Sequence, residues 1–334
     1  MGYRAEKQQR EKQRKVFKRI FLLVVLVLLV GLCIFSFYIP PTTWKYYVNK
    51  PKVGKRKAGE MRLHFLDVGQ GDCSLIEFPD GKVMLIDGGD DKESTKTSIM
   101  RYLNALKIKT IDYLVVTHAD ADHCGGLDTV LKYKKVKNAL IPNSIVSVDS
   151  EYAEFYAALM KENCAWTYAS RNVLSAETDE YTFEVLYPLT SDISGVTGGA
   201  LLETNDNATS SVIWVDYMGV SALFTGDAPT SVEGILLRDD ELGLLDGRVS
   251  LTETEILKVS HHGSADSTSL GFLEYLGVQT AVISCGKENV YGHPTQSVLT
   301  ALNAAKADVY RTDLQGHIIL TISADGTYRV KTVK

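Results

Sequence analysis

The chain has 334 residues, 45% hydrophobic and 23% charged, an ordinary globular composition with room for one large domain or two smaller ones. Its formal net charge of −5 excludes a globally basic surface of the kind that marks nucleic-acid binding, and leaves only a local groove open to that role. Its five cysteines contain no C-x-x-C pair, which excludes a zinc ribbon or a disulfide scaffold.

Residues 1–19 are basic, with Arg4, Lys7, Arg10, Lys12, Arg14, Lys15, Lys18 and Arg19 against Glu6 and Glu11. Residues 20–39 carry no charge and are rich in Leu, Val, Ile and Phe. At about 1.5 Å per helical residue they match a bilayer core of roughly 30 Å. Pro40-Pro41 ends the run, and Trp44, Tyr46 and Tyr47 suit a membrane interface. A cleaved signal peptide would have a shorter apolar core and a small-x-small site, which F-S-F-Y-I-P-P lacks. The expectation is one uncleaved transmembrane anchor at 20–39, with the basic segment 1–19 in the cytoplasm. The far flank also carries lysines, so the charge bias is modest. The cell membrane is then crossed once, and the C-terminal part lies outside. Residues 40–60 read as a polar linker and 61–334 as the folded domain.

Strands dominate from Met61. M-R-L-H-F-L-D-V breaks at G-Q-G-D, and S-L-I-E-F pairs with K-V-M-L-I-D across the Asp80-Gly81 turn. Ile99, Tyr102, Leu103 and Leu106 fall at helical spacing before a strand at 112–117. Gly125 to Leu131 reads as a second helix. Further strands fit 137–141, 182–187, 210–217, 220–225, 255–260, 279–284, 317–323 and 327–333, the last two meeting at Asp325-Gly326. Cys33 falls in the anchor. Cys73, Cys124, Cys164 and Cys285 either remain thiols or form one disulfide. This mixture of strands and helices suits a layered α/β or α+β sandwich.

Acidic and imidazole side chains recur where these strands end. T-H-A-D-A-D-H puts His118, Asp120, Asp122 and His123 after one strand. Asp87 ends another, Asp227 follows A-L-F-T-G, and His261 and His262 follow E-I-L-K-V-S. Clustered charge at a buried strand end is costly unless something pairs with it. Two sets of His and carboxylate sharing one Asp are what a two-metal hydrolytic centre needs, with ions about 3.5–4 Å apart that generate hydroxide at neutral pH.

The string H-A-D-A-D-H, with D-G-G before it and T-G-D and H-H-G-S after it, resembles the metallo-β-lactamase superfamily. More narrowly, H-F-L-D-V-G-Q-G-D, T-H-A-D-A-D-H-C-G-G-L, L-F-T-G-D, L-K-V-S-H-H-G-S and Y-G-H-P resemble the hydrolase domain of the competence DNA-uptake protein family, over residues 61 to about 323. The resemblance implies a four-layer αββα sandwich behind the transmembrane helix. It implies that His118 and Asp120 serve a first metal and Asp122 and His123 a second, with Asp227 bridging. One of His261 and His262 completes the second site, since neighbours on a strand point to opposite sides. The histidine expected between His123 and His261 is missing; Asn207, in N-A-T-S-S-V, stands near its place as a ligand or substrate contact. The first site is therefore poor in nitrogen and expected to be weaker, and Zn²⁺ and Mn²⁺ are both open.

Asp122 and Asp227 are the expected catalytic carboxylates, and His293 in Y-G-H-P is expected to reach a phosphate oxygen. Asp87 is expected to hold a ligand from behind, and Asp72 to face the substrate or to tie a turn. The resemblance implies hydrolysis of phosphodiesters, with single-stranded DNA as the substrate and a separate channel as partner, because one membrane segment cannot itself pass DNA. Two alternatives remain: a phosphodiesterase of a surface polymer or small molecule, like the phosphorylcholine esterases with a similar D-V-G-Q start, and a catalytically silent binding domain. β-Lactam hydrolysis is disfavoured, since it goes with a full set of imidazoles at the first site.

Overall fold

The computed structural model describes residues 2–38, 40–143, 150–173, 175–178, 180–189 and 206–334. The chain divides into two compact units, Met1–Asn49 and Lys50–Lys334. In the first, helix α1 (Gly2–Tyr38) is long and apolar enough to cross a membrane by length and composition. The basic residues 4–19 continue the same helix. Ile39, the last residue of the expected span, lies outside the described residues. A turn of 3₁₀ helix follows at Pro41–Tyr46, with Pro41 in its first turn, where the missing N–H costs nothing.

In the second unit residues 50–60 run along the folded body, held by Arg62, whose Nη1 donates to the Gly54 carbonyl (2.7 Å). The chain then lays down β1 (Met61–Phe65), β2 (Ser74–Glu77), β3 (Val83–Ile86), helix α2 (Glu93–Ala105) and β4 (Thr110–Val115). Next come the short α3 (Ala121–Cys124), α4 (Leu127–Tyr133), β5 (Lys135–Ile141), α5 (Glu151–Leu159) and β6 (Ala165–Tyr168). A second sheet takes β7 (Ser175–Glu177), β8 (Tyr181–Tyr187), β9 (Val212–Tyr217), β10 (Val220–Phe224), β11 (Ile256–Lys258), β12 (Thr280–Ile283) and β13 (Asp308–Arg311). Its helices are α6 (Thr230–Glu241), α7 (Leu270–Leu276) and α8 (Gln296–Ala304). The hairpin of β14 (His317–Ile322) and β15 (Tyr328–Val333) then returns to the first sheet.

The strand orders are β15-β14-β1-β2-β3-β4-β5-β6 and β13-β12-β11-β10-β9-β8-β7. Each sheet has a parallel half, β3 to β6 in one and β10 to β13 in the other. The sheets meet through Leu63, Phe65, Met84 and Val115 from one side and Phe183, Val215, Ala222 and Phe224 from the other. Phe65 stacks on Phe224 across the seam, with centroids 5.7 Å apart. The outer face of the second sheet packs Leu223, Leu257 and Ile283 against Leu236, Phe272 and Leu302 of α6, α7 and α8. Helix α2 sits on the outer face of the first, where the Tyr102 hydroxyl meets His64 Nδ1 at 2.8 Å. The architecture is the helix–sheet–sheet–helix sandwich that the resemblance implied.

Three departures from the sequence reading have local causes. The second helix begins at Leu127, because Gly125 and Gly126 turn the chain between α3 and α4. Helices α5 to α8 were not expected from the sequence, and α5 and α7 run only nine and seven residues. The seven residues of α7 are fixed by caps instead: the Ser269 hydroxyl accepts from Phe272 N–H, and Gly277 closes the helix at φ 71°. The strand expected over 255–260 stops at Lys258, and this alters the histidine pair that follows. All five cysteines are free thiols.

Candidate metal centre

Backbone packing first fixes the two loops that carry the acidic motifs. Gly88 N–H donates to the His123 carbonyl (2.6 Å), and Asp72 N–H donates to the Asp122 carbonyl (3.0 Å). These approaches need glycine. A Cβ on Gly126 would meet the Gly88 carbonyl oxygen at 2.3 Å, and one on Gly71, at φ +125°, would meet that of Asp122 at 2.4 Å.

Asp87 leaves β3 and receives three donors: Thr117 N–H (2.8 Å), the Thr117 hydroxyl (2.7 Å) and His123 Nδ1 (2.8 Å). It therefore holds His123 from behind and turns Nε2 inward. Having given its proton to Asp87, the Thr117 hydroxyl accepts from His118 Nδ1 (3.1 Å), so His118 Nε2 also faces inward. Asp227 enters from the end of β10. Its Oδ1 lies 3.2 Å from His123 Nε2, and its Oδ2 lies 3.9, 3.6 and 3.6 Å from the Nε2 atoms of His118, His261 and His262. Asp122 Oδ2 is 3.1 Å from His262 Nε2. Asp120 sits at the rim, 48% exposed, with Oδ2 3.7 Å from His118 Nε2.

The expectation that only one of His261 and His262 turns inward rested on a strand that is not there. Both lie beyond β11 with left-handed backbones, φ 49° and 53°, and both Nε2 atoms reach Asp227. His262 is buried and donates from Nδ1 to the Ser284 carbonyl (3.0 Å). His261 is 23% exposed and pairs with Asp266 (3.1 Å).

Asp72 is a buried partner rather than a free turn residue. Its Oδ2 takes the Lys258 ammonium at 2.6 Å and its Oδ1 lies 3.2 Å from His262 Nδ1. The sequence reading passed over Lys258, Thr117, Ser284 and Asp266. Lys258 had a signal, as the lone charge in the apolar run I-L-K-V. Asn207 lies three residues before Ser210, whose hydroxyl accepts from Asp227 N–H (3.2 Å). His293 lies at the mouth, its ring 5.5 Å from His261, and Tyr291 stacks on it at 5.9 Å.

Metal-free, the site is electrostatically tense. Burial works against charging His123, but Asp227 and Asp87 outweigh it and hold its pKa well above the usual value. Burial likewise opposes charge on His262, and Asp227, Asp72 and Asp122 raise it to about 10. Asp227 is held well below the carboxylate range, since His123 and His262 outweigh its burial. Even so, His118 Nε2 is buried with no hydrogen-bond partner among the described residues, and His123 Nε2, His262 Nε2 and Asp227 Oδ1 meet only the ion pairs already described, without well-aligned hydrogen bonds. Such atoms cost about 1–3 kcal/mol each when unsatisfied. Inward-facing nitrogen and oxygen donors left without well-aligned hydrogen bonds fit a divalent cation, and their mixture suits Zn²⁺ or Mn²⁺.

Ligation requires neutral imidazoles, so loading metal at pH 7 should release about two protons, from His123 and His262. Calorimetry in buffers of different ionisation heat measures this, and zero release would contradict the charge assignment. The stability of the metal-free protein has a matching sign. His262 is raised in the folded state to about 10, above its ordinary 6.5. Its contribution is therefore complete below pH 6.5 and lost as pH rises towards 10.

Comparison with known proteins adds three findings. The description "Metallo-beta-lactamase superfamily" matches residues 66–287. ComE operon protein 3 of Bacillus subtilis is 31% identical over 276 residues, covering 78% of this chain and 33% of that protein. Recombination protein 2 of Haemophilus influenzae is 29% identical over 263 residues, covering 78% of this chain and 29% of that protein. The chain thus spans about a third of the length of these relatives. Among solved structures, Zn(2+)-bound PqqB from Methylobacterium extorquens superposes with a TM-score of 0.47 at 9% identity, over 78% of this chain and 99% of that one.

Proposed function

The chain belongs to the metallo-beta-lactamase superfamily, and from that premise we propose that it is a membrane-anchored, metal-dependent phosphodiesterase whose domain lies outside the cytoplasm and acts on DNA. The observation that carries the reading is the convergence on Asp227 of four imidazoles, three of them with Nε2 buried. Bound divalent ions supply Lewis acidity at neutral pH. The chain's own residues do the rest. Asp87 and Thr117 fix His123 and His118 in the Nδ1–H tautomer, and the Ser284 carbonyl does so for His262. Asp227 supplies the negative charge on which they converge. Burial and the neighbouring His261 and His262 push the His293 pKa down, and in this reading its ring reaches a phosphate oxygen. Tyr291, exposed beside it, offers a ring face on which a nucleobase can stack.

DNA is favoured by the motifs' resemblance to the competence DNA-uptake family, together with the similarity to ComE operon protein 3 and Recombination protein 2. The match covers about a third of each relative, and in this reading a channel is a separate partner. The metal-reconstituted protein, assayed against single-stranded DNA, a bis-aryl phosphate and a choline-phosphate ester, tests the proposal. Hydrolysis of the choline ester alone would move the reading to the surface-polymer alternative. Metal binding without any turnover would leave a binding domain.

The orientation rests on the basic residues 4–19 ahead of the apolar run. Protease added to intact protoplasts should then remove the domain and leave a short membrane-bound stub. Complete protection would reverse the orientation, and release of an intact domain without protease would indicate cleavage.

A further inference from the structure

We propose, resting on the phosphodiesterase reading, that Gln70 in the G-Q-G-D turn is a substrate-binding residue whose side-chain amide donates a hydrogen bond to a phosphate oxygen of the diester. Backbone packing sets Gln70 beside the centre. Asp72 N–H donates to the Asp122 carbonyl, and a Cβ on the intervening Gly71 would meet the Asp122 Cβ at 3.2 Å. The Gln70 carboxamide engages the loop between β12 and α8, where its Oε1 accepts from Gly286 N–H (3.1 Å). A Cβ on Gly286 would meet the Gln70 backbone nitrogen at 2.7 Å, so only glycine allows this approach.

The same loop carries His293 to the mouth. Asn289 closes it: its Nδ2 donates to the Gly286 carbonyl (2.9 Å) and the His293 carbonyl (2.6 Å), and its Oδ1 accepts from His293 N–H (3.0 Å). Thr295 N–H ties the far end to the Gly263 carbonyl (2.8 Å), next to His262. Gln70, Gly286, Asn289 and His293 thus form one hydrogen-bonded chain, and the His293 ring lies 5.5 Å from His261 and 6.5 Å from His262. Each end of the chain leaves a buried polar atom with no hydrogen-bond partner among the described residues, Gln70 Nε2 and His293 Nδ1. Gly286 N–H selects the oxygen of the Gln70 carboxamide, so the unmet atom is the amide nitrogen, a donor at every pH. It needs an oxygen, and the adjacent carboxylates are engaged, Asp72 by Lys258 and His262 and Asp122 by His262. An amide nitrogen has no free lone pair for a metal, but its N–H suits an anionic oxygen held at the centre.

The test uses two variants of the full, metal-loaded chain in detergent micelles. Calorimetry reads the affinity for inorganic phosphate, and steady-state rates on a bis-aryl phosphate give KM and kcat. Gln70→Glu keeps the oxygen that accepts from Gly286 and loses the donor, whereas Gln70→Met loses both. Each should weaken phosphate binding and raise KM by about 10-fold or more, the loss expected of a hydrogen bond to a charged group. Metal content by elemental analysis should stay at the wild-type value. Unchanged affinity in both variants would overturn the proposal. A loss confined to Gln70→Met would also overturn it, because Gln70 would then only tether the loop. So would a loss confined to Gln70→Glu, which reports charge repulsion alone. Thermal melts check folding, and the wild type supplies a reading that needs no variant. Phosphate should shift the side-chain amide signal of Gln70 in nitrogen-15 spectra, and an unmoved signal would overturn the proposal equally. A wild type that binds phosphate but turns over no phosphodiester would instead fail the phosphodiesterase reading, and the binding data would still decide the role of Gln70.

Discussion

Asp227→Asn should lower phosphodiester hydrolysis by at least about a hundredfold. Asn keeps the shape of the side chain and removes its charge from the point on which four imidazoles converge. Losing a charged interaction used in the transition state costs about 3–4 kcal/mol, or roughly 10²–10³ in rate. The sequence alone suggests that the metal-free fold would not notice the change. The structure says otherwise, because Asp227 is the common counter-charge of His123 and His262, both held protonated. The variant's metal-free form should melt lower than wild type at pH 7, and the gap should close as pH approaches 10. Steady-state rates on a bis-aryl phosphate and melts across that range read both effects. A variant that keeps most of its rate would mean that the centre has been misassigned.

The second large effect is expected at Lys258, which is 2% exposed and bonded to Asp72 (2.6 Å) and to the Val259 carbonyl (2.9 Å). Lys258→Met keeps most of the volume and strands the Asp72 carboxylate in the core. Removing one member of a buried pair costs about 3–5 kcal/mol, far more than the net worth of the pair. Asp72 has a partial escape: without Lys258 it can take up a proton, at the cost of releasing its charge from His262 Nδ1. The variant should therefore lose stability and metal affinity together. Replacing Asp72 by Asn as well should restore part of the stability but none of the metal affinity. Thermal melts and metal titrations of both variants decide this, and a single variant that melts within a degree of wild type would show that the pair does not hold the site.

The strands and the strand-end carboxylates were legible because both are written locally, while the four-layer sandwich followed from the family resemblance. A β-branched run followed by acids and imidazoles needs no knowledge of the other strands. What was illegible depends on distant partners or on a left-handed turn. The Lys258–Asp72 bond joins β11 to the loop after β1, and no local pattern announces it. The sequence H-H reads as a continuing strand, and its two positive φ angles arise only where the chain turns beyond β11. Helices α5 and α7 are short and capped by Ser150 and Ser269, so periodicity says little about them.

The donor atoms come from both sheets: His118 and His123 from the loops of one, Asp227 and His262 from those of the other. Whatever binds at that seam binds the closed sandwich and not the unfolded chain. An ion present at a hundred times its dissociation constant would add about 2.7 kcal/mol to the folding equilibrium. That is a substantial part of the 5–15 kcal/mol that separates a typical domain from its unfolded state. Metal supply then governs abundance as well as turnover. In a starved cell the unfolded fraction rises and falls to proteases, and the protein is depleted rather than held in reserve for the metal's return.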